Sequence, residues 1–330
     1  MKQTKWNIGV VCGIVCLLAI SSEALAQNGA YGANRRVTAS GGFGGVTGTF
    51  SEPSFTITQE QYEKHTHPDL YLGISSKQGH VETDSGITFS QTEQKDSKTG
   101  TLYSPQTWWG FSRITGGGGS GNMEPVRAAP VGGILQDQWR VNKGSLGSVD
   151  IAVYLNPSGT YQLSITHGGT TYFKTDVISW PQENGQIRDD VVSGMIVKRV
   201  IGATQQKNPA GGPYYNGFSM TGAGFSAGKV APLSKTSTGS LIVGNYDNWS
   251  KAASKNDEYL PYGRNANPTT NQPTGIWVID MDPPHQRDSN GVAANRQSLY
   301  DSEVVNINLL RRPTKLGGLK IKTGDVLNQY

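Results

Sequence analysis

The sequence predicts an all-β protein, a two-sheet antiparallel β-sandwich of the jelly-roll type. Three observations lead to this prediction: short segments alternate apolar and polar residues, turn-forming residues separate them, and few segments have helical periodicity. The composition agrees, because 43 of the 330 residues are glycine and only 16% are charged. Coiled coils and charge-driven disordered chains have the opposite balance. The glycines follow no strict triplet repeat, which excludes a collagen-like chain.

The N-terminal segment, residues 1–26, has the pattern of a secretory signal peptide. Lys2 and Lys5 precede the apolar run Ile8–Ile20. A small-x-small cleavage site follows at Ala24-Leu25-Ala26. An apolar run of about 13 residues is shorter than the ~20 that a membrane-spanning helix needs. We therefore expect cleavage near Ala26, secretion to an extracellular or periplasmic space, and no membrane span.

Both cysteines, Cys12 and Cys16, lie inside this peptide, so the mature chain contains none. We expect a fold stabilised by its core rather than by disulfides. Removing Lys2, Lys5 and Glu23 lowers the formal charge from +4 to +3, because two positive charges and one negative charge are lost. A positive charge that is so weak and scattered predicts no nucleic-acid partner.

Alternation with a period of two, together with β-branched and aromatic residues, predicts the strands. They are Phe55–Thr58, Leu70–Ser75, His80–Gln91, Thr107–Ile114, Gln138–Asn142, Ser148–Leu155, Thr160–Thr166, Thr170–Asp176, Val191–Val200, Ser240–Tyr246, Gly275–Met281 and Val304–Leu310. Turn residues inside 148–176 predict a three-stranded antiparallel meander there. The segment Asp189–Ile201 could form a helix, but its β-branched residues favour a strand.

Three segments are predicted to be irregular. Residues 27–48 are rich in Gly, Ala and Ser and predict a flexible leader. Long loops are expected at 115–130, which contains the glycine run Gly116–Gly119, and at 252–273, which is rich in Asn, Pro and Thr. Residues 49–330 are expected to form one β-sandwich domain, because neither half has enough strands for two well-covered sheets.

Four segments carry a resemblance to a known family. They are Tyr71-Leu72-Gly73-Ile74, Val81-Glu82-Thr83-Asp84-Ser85-Gly86-Ile87, Trp108-Trp109-Gly110-Phe111 and the hairpin from Val149 to Ile165. Over roughly residues 50 to 210 the chain resembles concanavalin A-like lectin and glucanase sandwiches, and more closely secreted bacterial sandwich proteins of unassigned function. The resemblance implies a jelly roll whose concave face meets extended polysaccharides. The catalytic strand of the hydrolytic members carries a third carboxylate, which this chain lacks after Asp84.

Glu82 and Asp84 are the candidate catalytic residues. They lie two apart on a predicted strand, so their side chains share a face with Cβ atoms about 7 Å apart. Each carboxylate can then shift the pKa of the other. A retaining glycosidase needs a nucleophile and an acid about 5 to 5.5 Å apart. Glu82 could act as nucleophile or acid with Asp84 tuning its protonation; the alternative is a solvent-facing polar pair.

Aromatic residues are the candidate ligand-binding groups, because flat ring faces stack on sugar rings. The set comprises Trp108, Trp109, Phe111, Tyr214, Tyr215, Trp249 and Trp277. Trp108 and Trp109 are adjacent on a strand and point to opposite faces, so one of them belongs to the core. Tyr214 and Tyr215 form a second candidate rim, and Trp249 a further platform. The alternative is that these side chains form the core.

Two groups could hold a metal ion, although no cofactor is required. His65 and His67 on an extended segment could meet one cation together with Asp69. An oxygen-rich loop could bind Ca²⁺, although its spacing matches no EF-hand; it contains Asp280, Asp282, Asp288 and Asn290. A surface turn is the alternative at the histidine segment.

These features predict a secreted protein that binds an extracellular or cell-wall polysaccharide and could hydrolyse it. One alternative is a structural cell-surface or matrix protein without enzymatic activity. Another is a glutamic-type acid peptidase that pairs Glu82 with a glutamine such as Gln205. The ligand and the oligomeric state do not follow from the sequence.

Overall fold

The computed structural model describes residues 30–58, 67–76, 81–206, 218–262, 279–282 and 300–309. The strands in these ranges are β1 (Ala30–Ser40), β2 (Phe43–Ser51), β3 (Ser54–Phe55), β4 (His67–Ser76), β5 (Val81–Ser90), β6 (Gln94–Lys95), β7 (Leu102–Tyr103), β8 (Thr107–Gly116), β9 (Gly119–Ser120), β10 (Glu124–Pro125), β11 (Arg140–Asn142), β12 (Ser148–Leu155), β13 (Tyr161–His167), β14 (Thr170–Asp176), β15 (Gln182–Glu183), β16 (Gln186–Ile187), β17 (Met195–Gln206), β18 (Ser219–Lys235), β19 (Leu241–Val243), β20 (Asp247–Asn248), β21 (Ser254–Tyr262), β22 (Ile279–Asp282) and β23 (Glu303–Leu309). Helical structure includes a short α-helix, α1 (Asp189–Ser193), and a 3-10 turn at Trp249–Lys251.

The strands form two large antiparallel sheets, which confirms the predicted all-β sandwich. Sheet A has the order β10-β8-β5-β4-β17-β1-β21, with β9 and β11 also paired to β8. Sheet B has the order β14-β13-β12-β2-β18-β23-β22, with β3, β19 and β20 also paired to β18. Buried apolar side chains from both sheets form one core between them. Two small hairpins, β6-β7 and β15-β16, complete the described strands.

The predicted meander over residues 148–176 is present as β12, β13 and β14 in sheet B. Tyr161, Leu163 and Ile165 on β13 are fully buried while the residues between them are partly exposed, so one face of the strand points into the core. At the β12-β13 turn, Asn156 Oδ1 accepts the backbone N–H groups of Ser158 and Thr160. Asparagine performs this role in turns because its short side chain reaches its own backbone.

The flexible leader predicted over residues 27–48 is wrong for the part that the structure describes, because β1 and β2 occupy it. Val46 and Phe50 on β2 are fully buried in the core. Gly48, between them, makes space, because a Cβ there would lie 2.1 Å from the Phe225 ring. This glycine therefore allows close packing, whereas the glycine-rich composition of the segment suggested mobility.

The loop predicted at 115–130 is also partly wrong. Gly117 and Gly118 have φ angles of +56° and +86° and form a tight turn between β8 and β9, a backbone shape that favours glycine. In the second predicted loop, 252–273, strand β21 covers residues 254–262, and the remaining residues lie outside the described ranges. Along Asp189–Ile201, helix α1 precedes β17, so the predicted strand is right only for its second half.

Strand β18 has no counterpart in the sequence prediction although it is 17 residues long. Its pairing with β2 shifts register between Ser226 and Lys229. Such a bulge inserts extra residues and breaks the alternation of apolar and polar side chains. The prediction from periodicity therefore fails at this strand. Within the described ranges, no helix is long and apolar enough to cross a membrane.

Replacing Gly48 with alanine should destabilise the fold by about 1–3 kcal/mol, because the new methyl group overpacks the core against Phe225. Gly45→Ala is the matched control on the same strand. Its Cβ would meet the hydroxyl end of Tyr246, which is 37% exposed and can move away. Urea denaturation of both variants measures the difference. Equal stability of the two variants would contradict the proposed packing role of Gly48.

Candidate ligand-binding face

The outer face of sheet A, turned away from sheet B, carries most of the described candidate site residues. Strand β8 defines the two faces because its residues alternate. Trp108 belongs to the core between the sheets. Phe111 belongs to a separate apolar cluster with Tyr71 and Val200, and Trp109 packs against this cluster. The adjacent tryptophans thus point to opposite faces, as the sequence predicts.

Four charged side chains form a cluster on the outer face, called here the charge cluster: Glu82, Asp84, Arg113 and Lys198. Arg113 lies directly opposite Asp84 in the register of β8 and β5. Its Nε donates to Asp84 Oδ2 at 3.0 Å, and its Nη2 also contacts that oxygen. Lys198 Nζ lies 2.6 Å from Asp84 Oδ1 and also pairs with Glu82 Oε1. One ammonium therefore joins both predicted catalytic carboxylates.

The contact between Lys198 and Asp84 spans a whole strand, because β4 lies between β17 and β5. Neighbouring strands are about 4.8 Å apart, so the lysine must reach about 10 Å across the sheet. Gly73 on β4 lies opposite Lys198 in the register. A Cβ at position 73 would lie 2.7 Å from Lys198 Cε and 2.0 Å from the backbone oxygen of Thr83. The missing side chain at Gly73 thus provides the path for the lysine stem.

The charge cluster keeps Asp84 ionised although the residue is only 1% exposed. Burial raises the pKa of the Asp84 carboxyl, but the charges and hydrogen bonds of Lys198 and Arg113 outweigh burial and lower it to about 2. A buried carboxylate needs such partners, because an unpaired charge out of water is costly. The two carboxylates and two cations balance in charge, so the cluster has no net charge at neutral pH.

The apolar part of the outer face lies beside the charge cluster. The rings of Tyr71 and Phe111 meet edge to face with centroids 6.0 Å apart, and Trp109 and Phe111 have centroids 6.1 Å apart. Phe111 is fully buried, whereas Trp109 is partly exposed. Gly86 lies between Tyr71 and Phe111 in the register, and a Cβ there would lie 2.2 Å from the Leu70 oxygen.

Two of the predicted ligand-binding tryptophans lie in the core. Trp108 and Trp249 are both 0% exposed, so neither presents a ring face to a ligand in this conformation. Trp108 Nε1 donates to Glu52 Oε1 at 2.9 Å. Tyr214 and Tyr215 lie outside the described residues. Of the predicted aromatic residues, the described structure places Phe111 and Trp109 on the outer face, and of these two Trp109 is the one that is partly exposed.

The predicted metal sites remain predictions. His67 Nε2 lies 3.6 Å from Asp69 Oδ1, while His65 is outside the described ranges. In the oxygen-rich loop, Asp280 and Asp282 lie on β22, but their side chains are not described. Asp288 and Asn290 lie outside the described ranges. Where the structure describes side chains, it groups no three His, Cys, Asp or Glu residues that could hold a metal ion.

The register of β17 separates Gln205 from Glu82. Ile196 lies opposite Ser75, which lies opposite Glu82 on the next strand. Gln205 follows Ile196 by nine residues, from 196 to 205, which is about 30 Å along an extended strand. The strand pairing therefore does not bring this glutamine to the glutamate.

The sequence analysis missed Lys198, Arg113 and the role of Gly73. One signal was present: Lys198 and Arg199 are consecutive charges inside an otherwise apolar strand. Charged residues in the middle of a central strand are buried only when they are paired. Their partners come from strands distant in the sequence, so the signal indicates that ion pairs exist without identifying them.

Comparisons with known proteins show no family for this chain. No protein-family model matches, and no curated protein sequence matches. Among solved structures, Scytalido-glutamic peptidase with a transition state analog inhibitor has 10% identity and a TM-score of 0.36, covering 86% of this chain and 99% of that one. SCP-B, a member of the eqolisin family of peptidases, has 10% identity, the same coverages and a TM-score of 0.38.

A beta-porphyranase from the human gut bacterium Bacteroides plebeius has 9% identity and a TM-score of 0.14. The match covers 52% of this chain and 51% of that one. Likenesses at such low identities and TM-scores carry no argument about activity. The functional argument therefore depends on the residues of this chain.

Replacing Asp84 with asparagine should lower the free energy of unfolding at pH 7 by about 2 kcal/mol, because the variant loses the carboxylate whose pKa is lowered in the fold. The stabilisation by Asp84 is present above its unfolded pKa near 3.8 and is lost as the pH falls towards about 2. The difference between wild type and variant should therefore shrink over this interval. Urea denaturation between pH 7 and pH 2 measures it.

Asp190→Asn is the matched control, since Asp190 pairs with Arg188 at the surface, where both side chains are more than two-fifths exposed. Exposed ion pairs contribute little to stability. We expect no measurable loss for this variant. A loss for Asp84→Asn that stays constant from pH 7 to pH 2 would contradict the ionised, paired state of Asp84.

Proposed function

We propose that this protein is a secreted carbohydrate-binding protein that holds an extended polysaccharide on the outer face of sheet A without cleaving it. One observation carries the proposal: Trp109 is partly exposed on this face, while both predicted catalytic carboxylates are already paired with one lysine. The predicted signal peptide over residues 1–26 supports secretion. The resemblance to concanavalin A-like lectins supports a polysaccharide as the ligand.

The part of the outer face at Trp109 offers a partly exposed ring to a sugar ligand. A sugar ring offers a flat patch of C–H groups that stacks on an indole, while its hydroxyl groups need polar partners. Trp109 lies opposite Thr88 on β5, and Asp69 follows Thr88 in the register, but both of these polar side chains are buried, so Trp109 is the group of this row that a ligand can reach. On β5, the next position on the outer face is Gly86, which lies between Tyr71 and Phe111 of the apolar cluster. The position after it is Asp84, which belongs to the charge cluster. Aromatic and polar groups thus alternate along the strands.

The charge cluster supports binding rather than hydrolysis. A glycosidase acid must carry a proton at the working pH, and its nucleophile must be free to reach the sugar. Asp84, with a pKa of about 2, carries no proton except in strong acid. Glu82 Oε1 and Asp84 Oδ1 are both paired with Lys198 Nζ, so neither oxygen is free to act as the nucleophile. A structural role in holding three strands together accounts for all four charges.

A polysaccharide pull-down combined with a reducing-sugar assay tests the proposal. We expect retention on at least one glycan without release of reducing ends. Trp109→Ala should weaken retention about threefold to tenfold, since aromatic stacking contributes about 0.5–1.5 kcal/mol. Phe173→Ala is the control, because Phe173 is a 54% exposed aromatic side chain on sheet B.

Four outcomes would contradict the proposal. No retention on any glycan would exclude carbohydrate binding, and self-association without glycan would favour a matrix protein. Release of reducing ends that Glu82→Gln abolishes would show a glycoside hydrolase. Cleavage of a denatured protein at acid pH, also abolished by Glu82→Gln, would show an acid peptidase.

A further inference from the structure

Among the described residues, Arg140 is a cation on the outer face that no carboxylate pairs with. Arg140 on β11 lies directly opposite Trp109 on β8, so the two side chains are cross-strand neighbours on the same face. Among the described residues, no Asp or Glu forms an ion pair with Arg140. The two partly buried arginines nearest to it in the fold differ, because Arg127 pairs with Asp96 and Arg113 with Asp84.

Neutral groups fix the Arg140 guanidinium in place. Nη2 donates to Gln94 Oε1 at 2.7 Å and to Gln138 Oε1 at 2.8 Å, and Nε donates to the same Gln138 oxygen at 3.3 Å. Nη1 donates to Thr107 Oγ1 at 3.2 Å. These contacts use four of the five N–H groups that a guanidinium carries. One N–H group on Nη1 therefore has no partner among the described residues.

Two aromatic rings flank the same guanidinium. Arg140 Cζ lies 4.3 Å from the centre of the Tyr103 ring and 5.7 Å from the centre of the Trp109 ring. Ring faces attract a cation, but more weakly than a carboxylate does. Burial lowers the pKa of Arg140, and the nearby carboxylate of Asp96 only partly offsets this effect. The fold thus keeps a partly desolvated positive charge in a fixed position without neutralising it.

The nearest carboxylate that could neutralise Arg140 is engaged elsewhere. Asp96 contacts Arg127 through both of its oxygens, at 2.6 and 2.7 Å, and also accepts from Tyr103 Oη at 3.3 Å. Its side chain is fully buried. Both oxygens of Asp96 are therefore engaged, so a carboxylate or sulfate that pairs with Arg140 would come from outside the described residues.

We propose that the polysaccharide bound on this face is acidic, with an anionic sugar unit whose charged group binds Arg140 while its ring stacks on Trp109. This inference rests on the proposed function and names the class of its ligand. A guanidinium binds carboxylate and sulfate oxygens by charge-assisted hydrogen bonds. Uronic acids carry carboxylates and sulfated sugars carry sulfates. A guanidinium recognises both groups by the same kind of hydrogen bond.

Affinity electrophoresis of the full chain in gels that contain one polysaccharide tests the inference. Polygalacturonate and alginate supply carboxylates, carrageenan supplies sulfates, and agarose and xylan serve as neutral chains. We expect at least one acidic chain to retard the protein about tenfold more strongly than the neutral chains, since a hydrogen bond to a charged group commonly contributes this much. The retardation should weaken as salt is added.

Arg140→Gln should abolish the preference for the acidic chain, and Arg140→Lys should keep part of it, because the charge remains without the planar fork. Arg188→Gln is the control, since Arg188 is an exposed arginine that already pairs with Asp190. The melting temperature of each variant shows that it is folded. If Arg140→Gln does not fold, Arg140→Lys and the salt dependence decide the question.

The outcomes separate the inference from the proposed function. Equal retention by acidic and neutral chains, or an acidic preference that Arg140→Gln leaves unchanged, would overturn the inference while carbohydrate binding still holds. No retention on any chain would overturn both. Retention by only the carboxylated or only the sulfated chain would support the inference and identify the source of the anionic group.

Discussion

The ion pair between Lys198 and Asp84 is the interaction on which the centre of sheet A depends. It joins β17 to β5 across β4, and it forms because Gly73 leaves the path of the lysine stem open. Removing one partner of a buried ion pair leaves an uncompensated charge and destabilises the fold. This constraint also explains the chemistry of the face, because Asp84 and Glu82 cannot both hold Lys198 and act on a substrate.

Charges on the opposite face of the same strands join the two sheets. Arg199, adjacent to Lys198, points into the core, where its Nη2 lies 2.7 Å from Glu303 Oε1 on β23 of sheet B. Arg35 on β1 donates to the same carboxylate at 3.2 Å. The Arg199 guanidinium also lies 4.4 Å from the centre of the Phe225 ring. Consecutive residues of β17 thus connect strands of one sheet on the outer face and the two sheets on the inner face.

Local periodicity predicted the fold class and the strands with regular alternation, such as β12 and β14. It failed where glycine replaces apolar residues, as in β2, because Gly48 contributes space for Phe225 rather than a side chain of its own. The site was predictable in part. Spacing alone placed Glu82 and Asp84 on one face, but their cationic partners lie on β8 and β17, and only strand pairing brings those strands together.

The protonation state of Asp84 tests most directly the claim that the outer face binds without hydrolysis. Carbon-13 NMR of the labelled carboxyl group follows its titration in the folded protein. The account predicts a midpoint near 2, below the ordinary value of 3.8, and an upward shift in the Lys198→Met variant. A midpoint at or above the ordinary value, unchanged in Lys198→Met, would contradict the account, because Lys198 and Arg113 would then not hold Asp84 as a paired carboxylate.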